Sequence, residues 1–535
     1  MNQTINPPRR LSRIILCVGP GLIVAGSIVG SGELIATTKT GAEAGFSLLW
    51  LILIGCVIKV FAQIEFGRYA IISGKTTLMA LDEVPGPRIQ GRGNWLVWYW
   101  LVMWLASISQ LGGIVGGVGQ ALAITAPLTE QGTKFNRAAD AEQLQKFEAF
   151  RAAHRASEQH ATRQQVTEPQ ELVSSPSQAN IDQSVDAKQS IEIAELWNEY
   201  DREYQPTEAG RSESHDAAIW AVIIAVMTSG ILVVGRYGLI QSFSTALVAS
   251  FTLLVVVNVY WLQREPEFAV SGKEFLSGLS FGFPARSEGV NPIATALATF
   301  GIIGVGAAEL ITYPYWCLEK GYGRFTGTND GSPEWRARAV GWMRVMKFDA
   351  WGAMVIYTFA TMAFFLLGAS VLHRVGLNPE KGAMVRTLAV MFQPVFSDWA
   401  AIIFLFGAIA VLYSTFFVAN ASHARTFADC LRVIGLIDHA EETYRKWVRI
   451  LSGVFPILCV IIFLKFQSPA KLVLISGIAQ GVMLPMLAGA ALYFRYRRCV
   501  DELKPGRIWD ACLWLSAAAM LVTGGWTVIS VLGLG

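Results

Sequence analysis

Apolar runs of about 20 residues, the length that crosses a bilayer as a helix, recur along this chain with short polar connections between them. They fall near 14–38, 45–72, 95–126, 217–235, 239–262, 293–316, 346–371, 396–424, 447–466, 470–494 and 509–533. That spacing predicts an all-α, polytopic membrane protein of about eleven spans. One interval departs from the rhythm: residues 129–215 are rich in Gln, Glu, Ala, Ser and Arg and poor in large apolar side chains. Within it, 140–165 has helix-forming composition, whereas 169–189 reads as a disordered linker. The expected organisation is therefore three membrane helices over 1–127, a polar insertion over 128–216, and eight further helices over 217–535.

Basic residues crowd alternate connections: Arg88 and Arg92, Arg236, then Lys320, Arg324, Arg336 and Arg338, then Arg425, Arg432, Arg445 and Lys446, then Arg495, Arg497, Arg498, Lys504 and Arg507. The opposite connections carry fewer, such as Lys39, Arg264, Lys273, Arg374, Lys381 and Lys465. The positive-inside rule then predicts a cell-membrane protein with its amino terminus cytoplasmic, and its carboxyl terminus and the insertion on the other side.

Two of the apolar runs are interrupted in the same way. Residues 29–35 read VGSGELI and residues 305–311 read VGAAELI, which places Glu33 and Glu309 at matching positions of two half-chains. A helix in lipid must satisfy its own backbone, so glycine, serine and a carboxylate at mid-depth belong beside protein or a water-filled cavity. Paired interrupted segments are the sequence pointer to a transporter's binding site. Candidate binding residues are thus Glu33 and Glu309 as metal ligands, with Gly30, Ser31, Gly32, Gly306 and Ala308 around them. A carboxylate at that depth needs a cation, a proton or a partner, and Lys59 and Arg68 of the second run are the available structural partners.

Composition narrows the classes. Of 535 residues, 53% are hydrophobic and 16% charged, with mean hydropathy +0.43, as in a membrane protein rather than a soluble enzyme. A net charge of +3, scattered along the chain, excludes a nucleic-acid binder. Cys17, Cys56, Cys317, Cys430, Cys459, Cys499 and Cys512 show neither zinc-type spacing nor a disulfide framework. No phosphate-cradling loop or catalytic triad is visible, so neither an ATP-driven pump nor an enzyme is expected, and no cofactor is called for. His154, His160 and His215 stand among Gln and Arg without ligand spacing and read as solvated surface. In the second run Arg68 can pair with Glu65, and Gln63 lies one turn from Lys59. Asp349 is expected in an interfacial salt bridge with Arg344 or Lys347. His423 reads as a cap at the end of the eighth run, and the Trp-rich stretch 95–104 as an interface belt.

Residues 19–74, above all GAEAGFSLLW at 41–50 followed by FGRYAIISG, resemble the first two helices of the natural resistance-associated macrophage protein (Nramp) family of divalent metal transporters. The resemblance extends through the apolar runs but not the insertion. It implies a LeuT-type fold of two inverted five-helix repeats plus an eleventh helix, with helices one and six broken, working by alternating access. It also exposes departures. Where the family has Asp-Pro-Gly-Asn, this chain has Gly30, Ser31, Gly32 and Glu33; the family's Met-Pro-His falls on Ala308, Glu309 and Leu310. Acidic positions of the third helix fall on Gln110 and Gly113. An Asp is retained as Asp349, an Asn corresponds to Thr361, and a family Gln lies near Ser476 and Gly477, a turn from Gln480.

Losing the thioether and gaining a carboxylate favours a hard cation such as Mg or Mn, with Ca also possible as cargo. Proton coupling is doubtful on these replacements. Two rivals stay open: an organic-solute symporter of the same fold, and a transport-inactive receptor or scaffold acting through the insertion. The expected partners are the lipid bilayer and the cation itself, and a monomer is compatible with this reading.

Overall fold

The computed structural model describes residues 4–89, 92–137, 139–140, 147, 214–234, 237–284, 291–379 and 383–532. Among them, eleven helices are long and apolar enough to cross a membrane. Numbered as spans in chain order, these are Pro20–Ala44, Leu49–Ser73, Trp95–Thr125, Asp216–Val234, Thr245–Leu262, Pro292–Lys320, Pro333–Leu372, Ala400–Val433, Glu441–Phe466, Pro469–Arg498 and Arg507–Val531. They form two inverted five-helix repeats, spans one to five and six to ten, with span eleven added against span ten.

Span one is the centre of the bundle. Its most apolar window is 94% buried, against 28% for spans four and five, so its side chains meet protein on every face while those of spans four and five face lipid. It packs on spans five, six, seven and eight. Small residues along it allow that crowding, since helices in lipid associate through close packing rather than through a hydrophobic drive.

Several boundaries differ from those the hydropathy predicts. Residues 14–17 form part of a separate short helix, Leu11–Cys17; Val18 is extended and span one begins only at Pro20, whose fixed φ suits a first turn. Span seven starts at Pro333, well before 346. The Ser332 hydroxyl accepts from the Trp335 N–H at 3.0 Å, and the charged lead-in turns Trp335, Ala339 and Trp342 inward. Hydropathy averages such an amphipathic segment away. Between spans seven and eight, Met384–Phe396 is a short apolar stretch of helical turns with Met384, Leu388 and Phe392 buried.

Most of the polar insertion, with His154, His160 and the stretches 141–146 and 148–213, lies outside the described residues. Its two ends are joined: buried Asp216, the first residue of span four, accepts from the N–H of Leu128 at 2.7 Å and the hydroxyl of Thr129 at 2.8 Å.

Candidate cation site

Glu33 sits where the α-helical ladder of span one widens. From Val29 to Thr37 the backbone is π-helical, and the N–H of Thr38 reaches the carbonyl of Glu33, five residues back. Such wide turns are uncommon and gather at functional sites. Here the widening is the form the interruption takes, and Gly30 makes room for it. A Cβ on Gly30 would lie 2.0 Å from Thr415 Oγ1 of span eight. The Glu33 carboxylate is fully buried, with Oε1 accepting from the Thr361 hydroxyl of span seven at 2.8 Å and from the Gly304 N–H at 3.4 Å. Its Oε2 has no hydrogen-bond partner.

Span six is broken outright. Its first half, Pro292–Ile302, ends in extended Ile303 and left-handed Gly304 (φ 54°), and its second half, Ala307–Lys320, starts after extended Gly306. The left-handed turn is open to Gly304 because it lacks a Cβ. The break frees carbonyls at the end of the first half, and buried Lys59 of span two takes two of them, its Nζ donating to Phe300 O and Ile303 O at 2.6 Å each. The same Nζ lies 4.8 Å from the Phe300 ring centroid. Ile303 C=O and Gly304 N–H belong to one peptide group, so Lys59 and Glu33 hold its two ends.

Glu309 occupies the first turn of the second half, where the positive end of the helix dipole favours a carboxylate. Its Oε1 accepts from the Ser27 hydroxyl of span one at 3.0 Å, and a Cβ on Gly306 would stand 2.6 Å from its Oε2. The neighbouring Ala308 N–H donates to Gln480 Oε1 of span ten at 3.0 Å. Gln480 in turn donates to Gln110 Oε1 of span three at 2.7 Å, and the Ser476 hydroxyl donates to the same oxygen at 3.0 Å. A small cleft, with a cavity volume of about 10 Å³, reaches Ala308 from one side and is lined by Trp100, Trp104, Thr312, His423, Thr426 and Met483.

The structure therefore gathers Glu33, Gly32, Gly306, Ala308, Glu309, Thr361, Gln110 and Gln480 around the two interruptions. Gly32 backs onto Ile302 O, which a Cβ would approach to 3.1 Å. Ser31 lies in the π-helical stretch, its side chain outside the described residues. Several expectations are corrected. Neither Lys59 nor Arg68 pairs with Glu33: Lys59 holds carbonyls, and Arg68 forms with Glu65 the pair that their spacing predicts, at 3.0 Å on each prong. Gln63, one turn from Lys59, is buried with both amide atoms unpartnered. Asp349 makes no interfacial salt bridge; it caps span one, accepting from the N–H of Gly19 at 2.8 Å and of Gly21 at 2.6 Å, and from the Tyr313 hydroxyl at 3.1 Å. His423 lies inside span eight, its Nδ1 accepting from Trp104 Nε1 at 2.7 Å. Trp100 and Trp104 are buried, so the Trp-rich stretch is a belt only at its start, where Trp95 is exposed.

Ser27 and the carbonyl-bound role of Lys59 escaped the sequence reading. A serine on span one, 282 residues from Glu309, carries no mark of its own in an apolar run. Among the described residues, no three His, Cys, Asp or Glu side chains converge, so a cation here would meet two carboxylates at most, completed by neutral oxygens and water.

Comparison with known proteins bears on this arrangement. The family model for natural resistance-associated macrophage protein-like (Nramp) proteins matches residues 213–530. The metal transporter Nramp3.2 of Populus trichocarpa is 27% identical over 125 residues, 23% of either chain. The metal transporter Nramp3 of Arabidopsis thaliana is 27% identical over 121 residues, 22% of either chain. The match thus spans under a quarter of the length of these relatives. A crystal structure of a manganese transporter from Eremococcus coleocola aligns with 99% of this chain and 91% of its own, with a TM-score of 0.58 at 13% identity. That is a shared fold.

Proposed function

This chain belongs to the natural resistance-associated macrophage protein-like family, and on that premise we propose that it is a secondary transporter moving a divalent cation by alternating access. The observation that carries the reading is the Glu33 Oε2 atom, buried and without a partner at the break of span six. A buried carboxylate oxygen left unpaired costs several kcal/mol in low dielectric, and a cation at that atom offsets the cost. Glu309, Thr361, Ser27 and Gln480 supply further oxygen atoms around the same break. The names of the curated relatives and of the aligned structure, metal and manganese transporters, agree with this cargo.

The donors are carboxylate, hydroxyl and amide oxygens, which suit Mg and Mn better than soft metals. Magnesium binds through one or two carboxylates and keeps several waters. Met483 and His423 line the adjoining cleft rather than touching the glutamates. With Gln110 and Gly113 at the family's acidic positions of the third helix, the cation moves down its own gradient. The membrane potential adds about 2.3 kcal/mol per charge per 100 mV. On this reading the amino terminus is cytoplasmic, the insertion over 128–216 lies on the other side, and no cofactor takes part.

The test is cation flux into proteoliposomes. Mn²⁺ and Mg²⁺ uptake should be saturable, compete with each other, and fall at least about tenfold in Glu33→Gln and Glu309→Gln, the scale of one lost charged contact. Flux equal to that of empty liposomes for both ions would leave the receptor reading. Strong preference for Cd²⁺ over both would overturn the hard-cation assignment.

A further inference from the structure

The break of span six presents an unusual pairing: a fully buried ammonium against backbone carbonyls, with no carboxylate hydrogen-bonded to it. A helix ends in a negative partial charge from its last carbonyls, and those carbonyls accept but cannot donate. Thr299 O already receives the Ile303 N–H, leaving Phe300 O and Ile303 O pointing at one spot. Oxygens converging on one spot at a helix carboxyl end within the membrane form the arrangement that coordinates a free monovalent cation at broken helices. Here Lys59 Nζ stands at that spot, 2.6 Å from both, with the Phe300 ring face adding attraction for a cation. The Ile303 carbonyl that Lys59 holds is continuous with the Gly304 N–H on which Glu33 rests, so whatever occupies the Lys59 position also places the peptide beside the cargo carboxylate.

We infer that Lys59 is a built-in monovalent cation: its ammonium fills the carbonyl site that a free sodium or potassium ion would otherwise occupy, and so keeps the Glu33 side of the break formed without a second ion. The inference goes beyond the transport reading, because it concerns ion occupancy at span six whether or not divalent cations are carried. It also predicts a particular rescue. Truncating Lys59 to alanine leaves the two carbonyls and an ion-sized space, whereas Lys59→Met fills the space with a neutral chain of similar length.

The experiment uses the full chain purified in detergent, with melting temperature compared in sodium chloride, potassium chloride and choline chloride. Lys59→Ala should melt at least about 3 °C higher in sodium or potassium than in choline, as expected for an ion that binds only the folded state. The wild type and Lys59→Met should show no such difference. Recovery of folded Lys59→Ala only from buffers containing the small cation would equally support the site. Lys59→Ala that is indifferent to all three salts, or is recovered from none, overturns the inference, as does a wild type stabilised by sodium as strongly as the variant. In proteoliposomes, Mn²⁺ uptake by the variant should depend severalfold on sodium while wild-type uptake is the same in sodium and choline. The melting measurement reads ion binding without any flux, so a failure of the transport reading and a failure of this one are told apart.

Discussion

At the residue scale, Glu33 is a carboxylate with one oxygen held and one oxygen free. The held oxygen takes a hydroxyl hydrogen from Thr361 at 2.8 Å, and hydrogen bonds to charged groups contribute about 1.5–3 kcal/mol. Thr361→Val, which keeps the shape and removes the hydroxyl, should therefore weaken apparent Mn²⁺ affinity by about tenfold, with Thr361→Ser close to wild type; uptake against concentration checks this. Gly30 makes a second residue-scale case. Its missing Cβ is replaced in space by Thr415, at 2.0 Å from Oγ1 and 2.6 Å from Cβ. Gly30→Ala should cost about 1–3 kcal/mol, the usual range for overpacking, read as a lower melting temperature, and Gly30→Ala combined with Thr415→Gly should recover part of it. Both glutamates were legible in the sequence, because a repeated VGxxELI stands out against an apolar background. The partner of Lys59 was not, because a backbone carbonyl some 240 residues away leaves no trace in side-chain identity.

At the element scale, the two interruptions of the repeat are built differently. Span six breaks at left-handed Gly304, whereas span one stays helical but changes its ladder from Val29 to Thr37. A glycine-containing apolar run predicts an interruption without saying which kind, since glycine permits both. The amino end of span one shows a further dependence. Its first N–H groups have no partner within the helix, and Asp349 of span seven takes those of Gly19 and Gly21. Asp349→Ala would leave both donors buried and unsatisfied, a cost of about 1–3 kcal/mol each. Hydrogen exchange should then quicken over the first turn of span one more than over its far end, and Asp349→Asn, which keeps an acceptor oxygen, should give a smaller change.

At the scale of the whole molecule, span seven fastens span one at three levels. Asp349 caps its start and Thr361 meets Glu33 at mid-depth. At its far end the His373 ring bonds Ala42 O at 2.8 Å, while Asn378 accepts from Lys39 at 2.7 Å and donates to Glu43 at 3.0 Å. Spans one and seven are thus joined along their length, and Glu33 between them is fully buried. Near that far end, Glu274 of the short helix Gly272–Gly278 pairs with Arg374 at 2.5 Å, tying the link between spans five and six to the turn after span seven. Burial alone would raise the Glu274 carboxyl, but the N–H and hydroxyl of Ser271 and the Arg374 guanidinium outweigh it and hold the group below the usual carboxylate range. A group depressed in the folded state contributes stability that is complete above its unfolded pKa and lost as pH falls through the folded one. Melting temperature should therefore drop more steeply in the wild type than in Glu274→Gln as pH falls below about 4.5, with the two curves parallel at neutral pH.

What the sequence alone determined is the membrane class, the count of spans, the family scaffold and the pair of interruptions that carry Glu33 and Glu309. Hydropathy and repetition are properties of consecutive residues, and lipid imposes them on each span separately. The tertiary structure alone decided what each polar group meets: Thr361 and Gly304 for Glu33, Ser27 for Glu309, Gln480 for Ala308, the open carbonyls of span six for Lys59, and the start of span one for Asp349. The reason is physical. In a medium without water every buried polar group must find its partner on another helix, and which helix lies within 3 Å is set by how eleven spans cross, a property no single stretch of sequence contains.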